Sequence, residues 1–145
     1  MVAPNGARPT KKDHPAVPVT ISETVETAKA CFKSGATGIH FHMRDEKGQH
    51  ILDSGLCKEA LTELQKQVPK MHLQVTTEAV GRYSPEEMRK LAYDVIPPGI
   101  SIGIREMIPS RQPTPADIKI YKNWKLRRLS IFQTIPWTIP ENDLK

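Results

Sequence analysis

An α/β fold of strand–helix units on a parallel sheet is what this 145-residue sequence predicts, on three observations. The same helix-start chemistry recurs along the chain. Apolar residues behind each start keep a helical period. Short β-rich runs lie between the helices, apolar on both faces as buried parallel strands are. The strand, helix, strand, helix order has a pitch of about thirty residues, which is a chain of βαβ units. Five strands at that pitch make just over half of an eight-unit barrel, whose typical length is about 250 residues. The expectation is therefore a partial TIM (β/α)8 barrel, about strands 1–5 with their helices, truncated at both ends. No linker or low-complexity segment divides residues 1–145, which read as a single domain.

In chain order, Met1-Val2-Ala3 is what remains of a first strand, ahead of the turn-rich PNGARPT. Thr20-Ile-Ser-Glu23 is a capping box, in which the Thr hydroxyl and the Glu carboxylate satisfy each other's backbone N–H. Behind it Ile21, Val25, Ala28 and Phe32 form one stripe, closed by Gly35. Strand Thr37–Met43 follows, then the stripe Leu56, Ala60, Leu61, Leu64 and Val68, then strand His72–Thr77. Ser84-Pro-Glu-Glu87 repeats the capping box with Pro at the first helical position, where no N–H is needed. Met88, Leu91, Ala92 and Val95 continue it, and strand Ile100–Ile104 comes next. Thr114-Pro-Ala-Asp117 starts another helix before strand Leu129–Ile135. The helix announced by Thr138 and Glu141 has barely begun at Lys145.

Composition narrows the function classes. Apolar residues are 38% and charged residues 26%, the balance of a globular chain rather than a disordered one. No apolar run reaches the roughly 18–20 residues of a membrane span, and the N-terminus lacks the apolar core of a secretory signal. Cys31 and Cys57 are widely spaced and read as reduced, cytoplasmic thiols. The net charge of +5 invites a nucleic-acid reading, but the basic residues are scattered and no aromatic-interleaved stripe accompanies them. A basic surface also suits an anionic substrate or cofactor.

Chemistry in such barrels sits where strands give way to the following loops. Those ends are polar here: Asn5 and Arg8, then His40, His42, Arg44 and Asp45, then Gln74, Thr76, Thr77 and Glu78, then Arg105 and Glu106, with Gln133 and Thr134 last. In IHFHMRD the strand period of two sends His40 and His42 to one face, inward if Ile39 and Phe41 point to the helices. Two such imidazoles can share one zinc. His14 and His50 fall in turn-rich loops and read as surface residues, and His72 lies at a strand start, away from the chemistry.

VAPNGARPTKKDHPAVPVT, GIHFHMRD and LQVTTEAVGRYSPEE, in that order, resemble the β-keto acid cleavage enzymes, whose name-giving member is the 3-keto-5-aminohexanoate cleavage enzyme. The resemblance is close from Val2 to about Pro109 and looser through IFQTIPWTIPENDL. It implies a zinc-dependent TIM barrel, homo-oligomeric at full length, that converts a β-keto acid and acetyl-CoA to acetoacetate and a new CoA ester. It implies that His40 and His42 are zinc ligands. The family's third ligand, a late-strand glutamate beside an aspartate and downstream of a catalytic arginine, has no counterpart in these 145 residues. Thr76 falls where the family places a hydroxyl residue that binds the substrate's acetoacetate end. Arg8, Thr76, Thr77, Glu78 and Glu106 are the residues expected at the substrate.

One departure points to specificity. The amino-substrate enzyme has a glutamate where this chain has Arg8, and a guanidinium prefers a carboxylate to an ammonium. Two other readings compete. A zinc amidohydrolase also carries H-x-H in a barrel, but on its first strand. A truncated product or small binding module would keep the fold without the chemistry. An incomplete barrel is expected to be inactive and to bare an apolar inward face near Ile102, Ile104 and Phe132.

Overall fold

In the computed structural model, residues 1–110 are described, together with 112, 115 and 118 and the backbone of 130–133. The expected helix starts at Thr114 and Thr138, the Phe132 side chain and Thr134 lie outside the described residues. Helix α1 is Ile21–Lys33, and both arms of its capping box form: the Glu23 N–H donates to Thr20 Oγ1 at 3.1 Å and the Thr20 N–H to Glu23 Oε2 at 3.1 Å. Gly35, at φ 94°, turns the chain out of the helix. Strand β1, Gly38–Phe41, leads to α2, Ser54–Gln67. The α2 cap is Asp53, whose Oδ1 accepts from the Leu56 N–H at 2.7 Å.

Strand β2, His72–Thr76, is followed by α3, Pro85–Val95, with the second complete capping box at Ser84. Strand β3 is Gly99–Ile102, a single turn α4 spans Ile104–Met107, and β4 is Ser130–Gln133. Ile104, expected in the strand, belongs instead to the helical turn. At Gly103 a Cβ would meet Glu106 Oε2 at 2.8 Å, so a larger residue there would push that carboxylate aside.

All four strands are parallel and stand in sequence order β1-β2-β3-β4, with no reversal of direction along the sheet. The register sets His40 beside Gln74 and Thr76 beside Ser101. Val2 adds a parallel bridge to Ile39 on the outer side of β1, its N–H donating to the Gly38 carbonyl and its carbonyl accepting from the His40 N–H. The expected first strand is thus represented by one paired residue. Successive helices α1, α2 and α3 pack on one another in turn. Unreversed order with neighbouring crossover helices is compatible with part of a (β/α)8 barrel. Among the described residues, no helix is long and apolar enough to cross a membrane.

A period of two sorts the sheet. Ile39, Phe41, Leu73, Val75, Ile100 and Ile102 join Val25, Ala28, Ala60, Leu64, Met88 and Leu91 in one apolar cluster beneath the helices. His40, Gln74, Thr76 and Ser101 alternate with them on the other face. Two expectations are corrected here. The strands are not apolar on both faces, and Ile102 faces the helices rather than an interior. The inner face is polar, because the residues between the isoleucines and valines carry hydroxyl, amide and imidazole groups. The α1 stripe is also rotated: Thr24, Val25 and Ala28 are its buried residues, while Phe32 near its end is 37% exposed.

The α1 cap yields a pH prediction. Glu23 is held down at about 2, from an ordinary 4.5, first by its hydrogen bond with Lys11 and then by the Val19 and Thr20 N–H groups. A carboxylate lowered by folding stabilises the fold fully above its unfolded value and loses that contribution as it protonates. The urea midpoint of the wild type should exceed that of Glu23→Gln above pH 4.5, and the gap should close as pH falls towards about 2. A gap that stays constant across that window would refute the assignment.

A candidate metal and substrate site at the strand ends

β1 ends at Phe41, yet the backbone of the next residue is still paired. The Asn5 side chain supplies the pairing: its Oδ1 accepts from the His42 N–H at 3.1 Å, and its Nδ2 donates to the carbonyls of His42 at 3.0 Å and Pro18 at 3.2 Å. A buried amide thus continues the ladder where the strand before β1 has given way to loop. His42 is thereby kept on the same face as His40.

The two Nε2 atoms stand 3.1 Å apart, with the rings edge to face at 5.0 Å. A proton on His40 Nδ1, bonded to Gln74 Oε1 at 2.8 Å, leaves His40 Nε2 as a lone pair facing its partner. Nitrogens bound to one tetrahedral zinc at about 2.0–2.1 Å are roughly 3.3 Å from one another, so the pair fits a shared ion. The carboxamide behind His40 is the kind of outer partner that fixes a ligating imidazole. Burial, reinforced by His40, His50 and Arg44, pushes His42 down to about 3, so it is neutral at physiological pH and offers a lone pair. Its Nδ1 and the Gln74 Nε2 are buried without hydrogen-bond partners. Among the described residues, no three His, Cys, Asp or Glu side chains converge tightly enough to hold a metal. The geometry provides two donors.

Arg44 is buried at 5% exposure, and no described carboxylate pairs with it as a salt bridge. Its guanidinium donates to backbone carbonyls instead: Asn5 at 3.4 Å, Gly6, Ala7 at 3.1 Å, Pro9 at 3.0 Å and Gly48 at 3.1 Å. Burial lowers its pKa from the ordinary arginine range. That clasp fixes the loop carrying Arg8, whose side chain is 81% exposed and whose Nη1 lies 3.9 Å from Glu78 Oε1. Glu78 Oε2 is in turn 3.9 Å from His42 Nε2.

The other expected residues divide. Thr76 is buried on the inner face, and its Oγ1 accepts from the Glu78 N–H at 3.0 Å, leaving the hydroxyl proton to give. Thr77 is fully buried and donates its hydroxyl to the Ser101 carbonyl at 3.2 Å, in the service of the sheet. Glu106 Oε2 accepts from the Ala79 N–H at 3.1 Å, joining α4 to the β2–α3 loop. His40, His42, Thr76, Glu78 and Arg8 therefore gather at the C-terminal edge of the sheet. Thr77 and Glu106 secure the backbone beside them.

His50 is corrected. Read from sequence as a surface residue, it is 2% exposed, with its ring 5.0 Å from that of His42 and its Nε2 2.8 Å from the Glu78 carbonyl. The cause is a tight turn after β1. The Asp45 N–H donates to the Gln49 carbonyl and the Ile51 N–H to the Met43 carbonyl, with Gly48 at φ 75°, and the returning limb is tucked under the site. Asp45-x-x-Gly48 is the signal that announces such a turn. His14 is exposed, and His72 is half-buried at the start of β2, as expected.

This chain is similar to enzymes named for 3-oxo and 3-keto substrates. It is 38% identical over 76 residues to a 3-oxoadipate:acetyl-CoA acetyltransferase of Cupriavidus necator, covering 52% of this chain and 27% of the relative. It is 32% identical over 85 residues to 3-keto-5-aminohexanoate cleavage enzymes of Fusobacterium nucleatum and Acetoanaerobium sticklandii, covering 58% of this chain and 31% of each relative. The matched part thus spans about three tenths of those relatives' length. The model of the β-keto acid cleavage enzyme family matches residues 1–130, the segment that holds the paired imidazoles and every loop described around them, and the chain belongs to that enzyme family.

Proposed function

We propose that residues 1–145 supply the metal-holding, N-terminal part of a zinc-dependent β-keto acid cleavage enzyme with acetyl-CoA as co-substrate. The observation that carries this reading is the pair of Nε2 atoms 3.1 Å apart at the end of β1. A bound zinc supplies Lewis-acid polarisation of a carbonyl oxygen there. The chain's own residues do the rest of what this segment can do. His40 and His42 hold the ion, and Gln74 fixes the His40 ring. Thr76 gives a hydrogen bond to the acetoacetate end of the substrate. Thr77 and Glu106 act from behind, through the backbone that carries Thr76 and Glu78. In the whole protein the sheet closes as a (β/α)8 barrel, a late-strand carboxylate completes the metal site, and subunits assemble as a cytoplasmic homo-oligomer. A CoA thioester and a β-keto acid are its partners.

Arg8 and Glu78 set the substrate's charge in this reading. Arg8 reaches out from its clasped loop and lies at the limit of ion-pair distance from Glu78, 3.9 Å, so an incoming carboxylate competes easily for it. A β-keto acid with a second carboxylate is the substrate class we assign. The relative named for 3-oxoadipate supports it, since that substrate is a dicarboxylate. A second reading has one observation in its favour: the Glu78 carboxylate offers an acceptor to an ammonium substrate.

Two outcomes are expected. The 145-residue chain, with two donors, should bind zinc weakly, and His40→Ala or His42→Ala should abolish the binding. Zinc retained by the double variant would exclude the pair. In the whole enzyme, Arg8→Glu should lower kcat/KM for a dicarboxylic β-keto acid about tenfold, the effect of about 1.4 kcal/mol. Preference of the unaltered enzyme for 3-keto-5-aminohexanoate would sink the assignment of substrate class.

A further inference from the structure

We propose that His50 is a positioning residue for the imidazole pair, bracing the His42 ring and tying the loop that bears Glu78 to the end of β1. The inference rests on the metal reading above. An imidazole that holds an ion by Nε2 is usually oriented by a hydrogen bond at Nδ1. His40 has that bond, to Gln74. His42 does not: its Nδ1 is buried without a partner. Its ring is held by packing instead, with His40 edge-on at 5.0 Å on one side and His50 edge-on at 5.0 Å on another.

His50 is itself fixed from several directions. Its Nε2 donates to the Glu78 carbonyl at 2.8 Å. Its Nδ1 has only a 3.3 Å contact with the Met43 carbonyl, an oxygen that already accepts from the Ile51 N–H at 3.0 Å, so the shorter contact marks the protonated nitrogen. Tyr83 packs edge-on against the ring at 6.4 Å, and Arg82 donates to the His50 carbonyl at 3.1 Å. Three residues of the β2–α3 loop thus close on one residue of the β1–α2 turn, two of them on its ring.

The consequence falls on Glu78. Its N–H is held by Thr76 Oγ1, its carbonyl by His50, and the following N–H by Glu106. With the backbone fixed at these points, only side-chain torsions remain to move the carboxylate, which stands 3.9 Å from His42 Nε2. Remove His50 and two things loosen together: the His42 ring and the loop that aims Glu78.

The test uses the 145-residue chain, its zinc affinity read by competition with a chromophoric chelator, and hydrogen exchange over residues 77–81. Wild-type binding comes first: a chain that takes up no zinc overturns the proposed function itself, and the inference with it. Given binding, His50→Ala should weaken zinc about tenfold or more and speed exchange over 77–81. His50→Phe, which keeps a ring against His42 but lacks the donor, should recover part of the affinity while the loop exchanges fast. Val68→Ala, a core truncation outside the site, controls for stability and should leave affinity unchanged. Unaltered affinity in folded His50→Ala, or an equal loss in Val68→Ala, would overturn the proposal.

Discussion

A polar face buried inside a parallel sheet has to satisfy its own hydrogen bonds, and this requirement organises the molecule. His42, Gln74, Thr76 and Ser101 are all at most 6% exposed. Leaving such groups unpaired costs roughly 1–3 kcal/mol each. The register answers most of the demand: His40 stands beside Gln74, which takes its Nδ1, and Thr76 stands beside Ser101 while its hydroxyl takes the Glu78 N–H, leaving His42 Nδ1 and Gln74 Nε2 unpaired. Because side chains alternate, a slip of one residue would drive both histidines among the helices and Ile39 and Phe41 to the inner face. The apolar cluster and the candidate metal site are therefore two results of one register.

The loops obey the same demand with less regular means. Among the described residues no strand beyond Val2 pairs with that edge of β1, and the Asn5 amide substitutes for one against His42. The Arg44 guanidinium then gathers carbonyls from both adjoining loops. A buried cation without a carboxylate is costly unless several dipoles replace water, and here backbone oxygens do so. The arrangement also has an electrostatic effect. Arg44 adds to the burial that keeps His42 unprotonated, so one residue helps both to shape the loop and to free the lone pair.

How much of this the sequence disclosed depended on whether a feature was local. Capping boxes at Thr20 and Ser84, the four strands and the shared face of His40 and His42 follow from spacing within a few residues, and they were legible. Asp53 went unread as a cap because no Glu or Gln stands three residues on to mark it. The rotated face of α1, with Phe32 partly exposed, depends on how neighbouring helices meet, which period alone does not specify. Ile102 lies on the helix face rather than in the interior, because β-rich composition alone does not say which face of a strand is polar. His50, Asn5 and Arg44 are polar residues in turn-like sequence, and their burial comes from partners 28, 37 and 35–39 positions away. Nothing in the local pattern distinguishes a polar residue that finds such partners from one that meets water.

Charge joins the candidate site to the substrate class proposed for it. Two neutral imidazoles cancel none of the charge of a divalent ion, unlike thiolates or carboxylates, so an ion held there keeps its full attraction for an anion. Glu78 partly offsets it from 3.9 Å, and Arg8 partly offsets Glu78 from the same distance. With a divalent ion bound, these groups and the buried guanidinium of Arg44 behind them would sum to a positive charge. A keto acid brings a carboxylate and a polarisable carbonyl oxygen, the two groups such a surface can hold together. A second carboxylate finds Arg8, whose only close acidic neighbour among the described residues is the Glu78 that the incoming group can replace. The acidic substrate class proposed for the site thus rests on the neutrality of the two candidate ligands as much as on the presence of arginine.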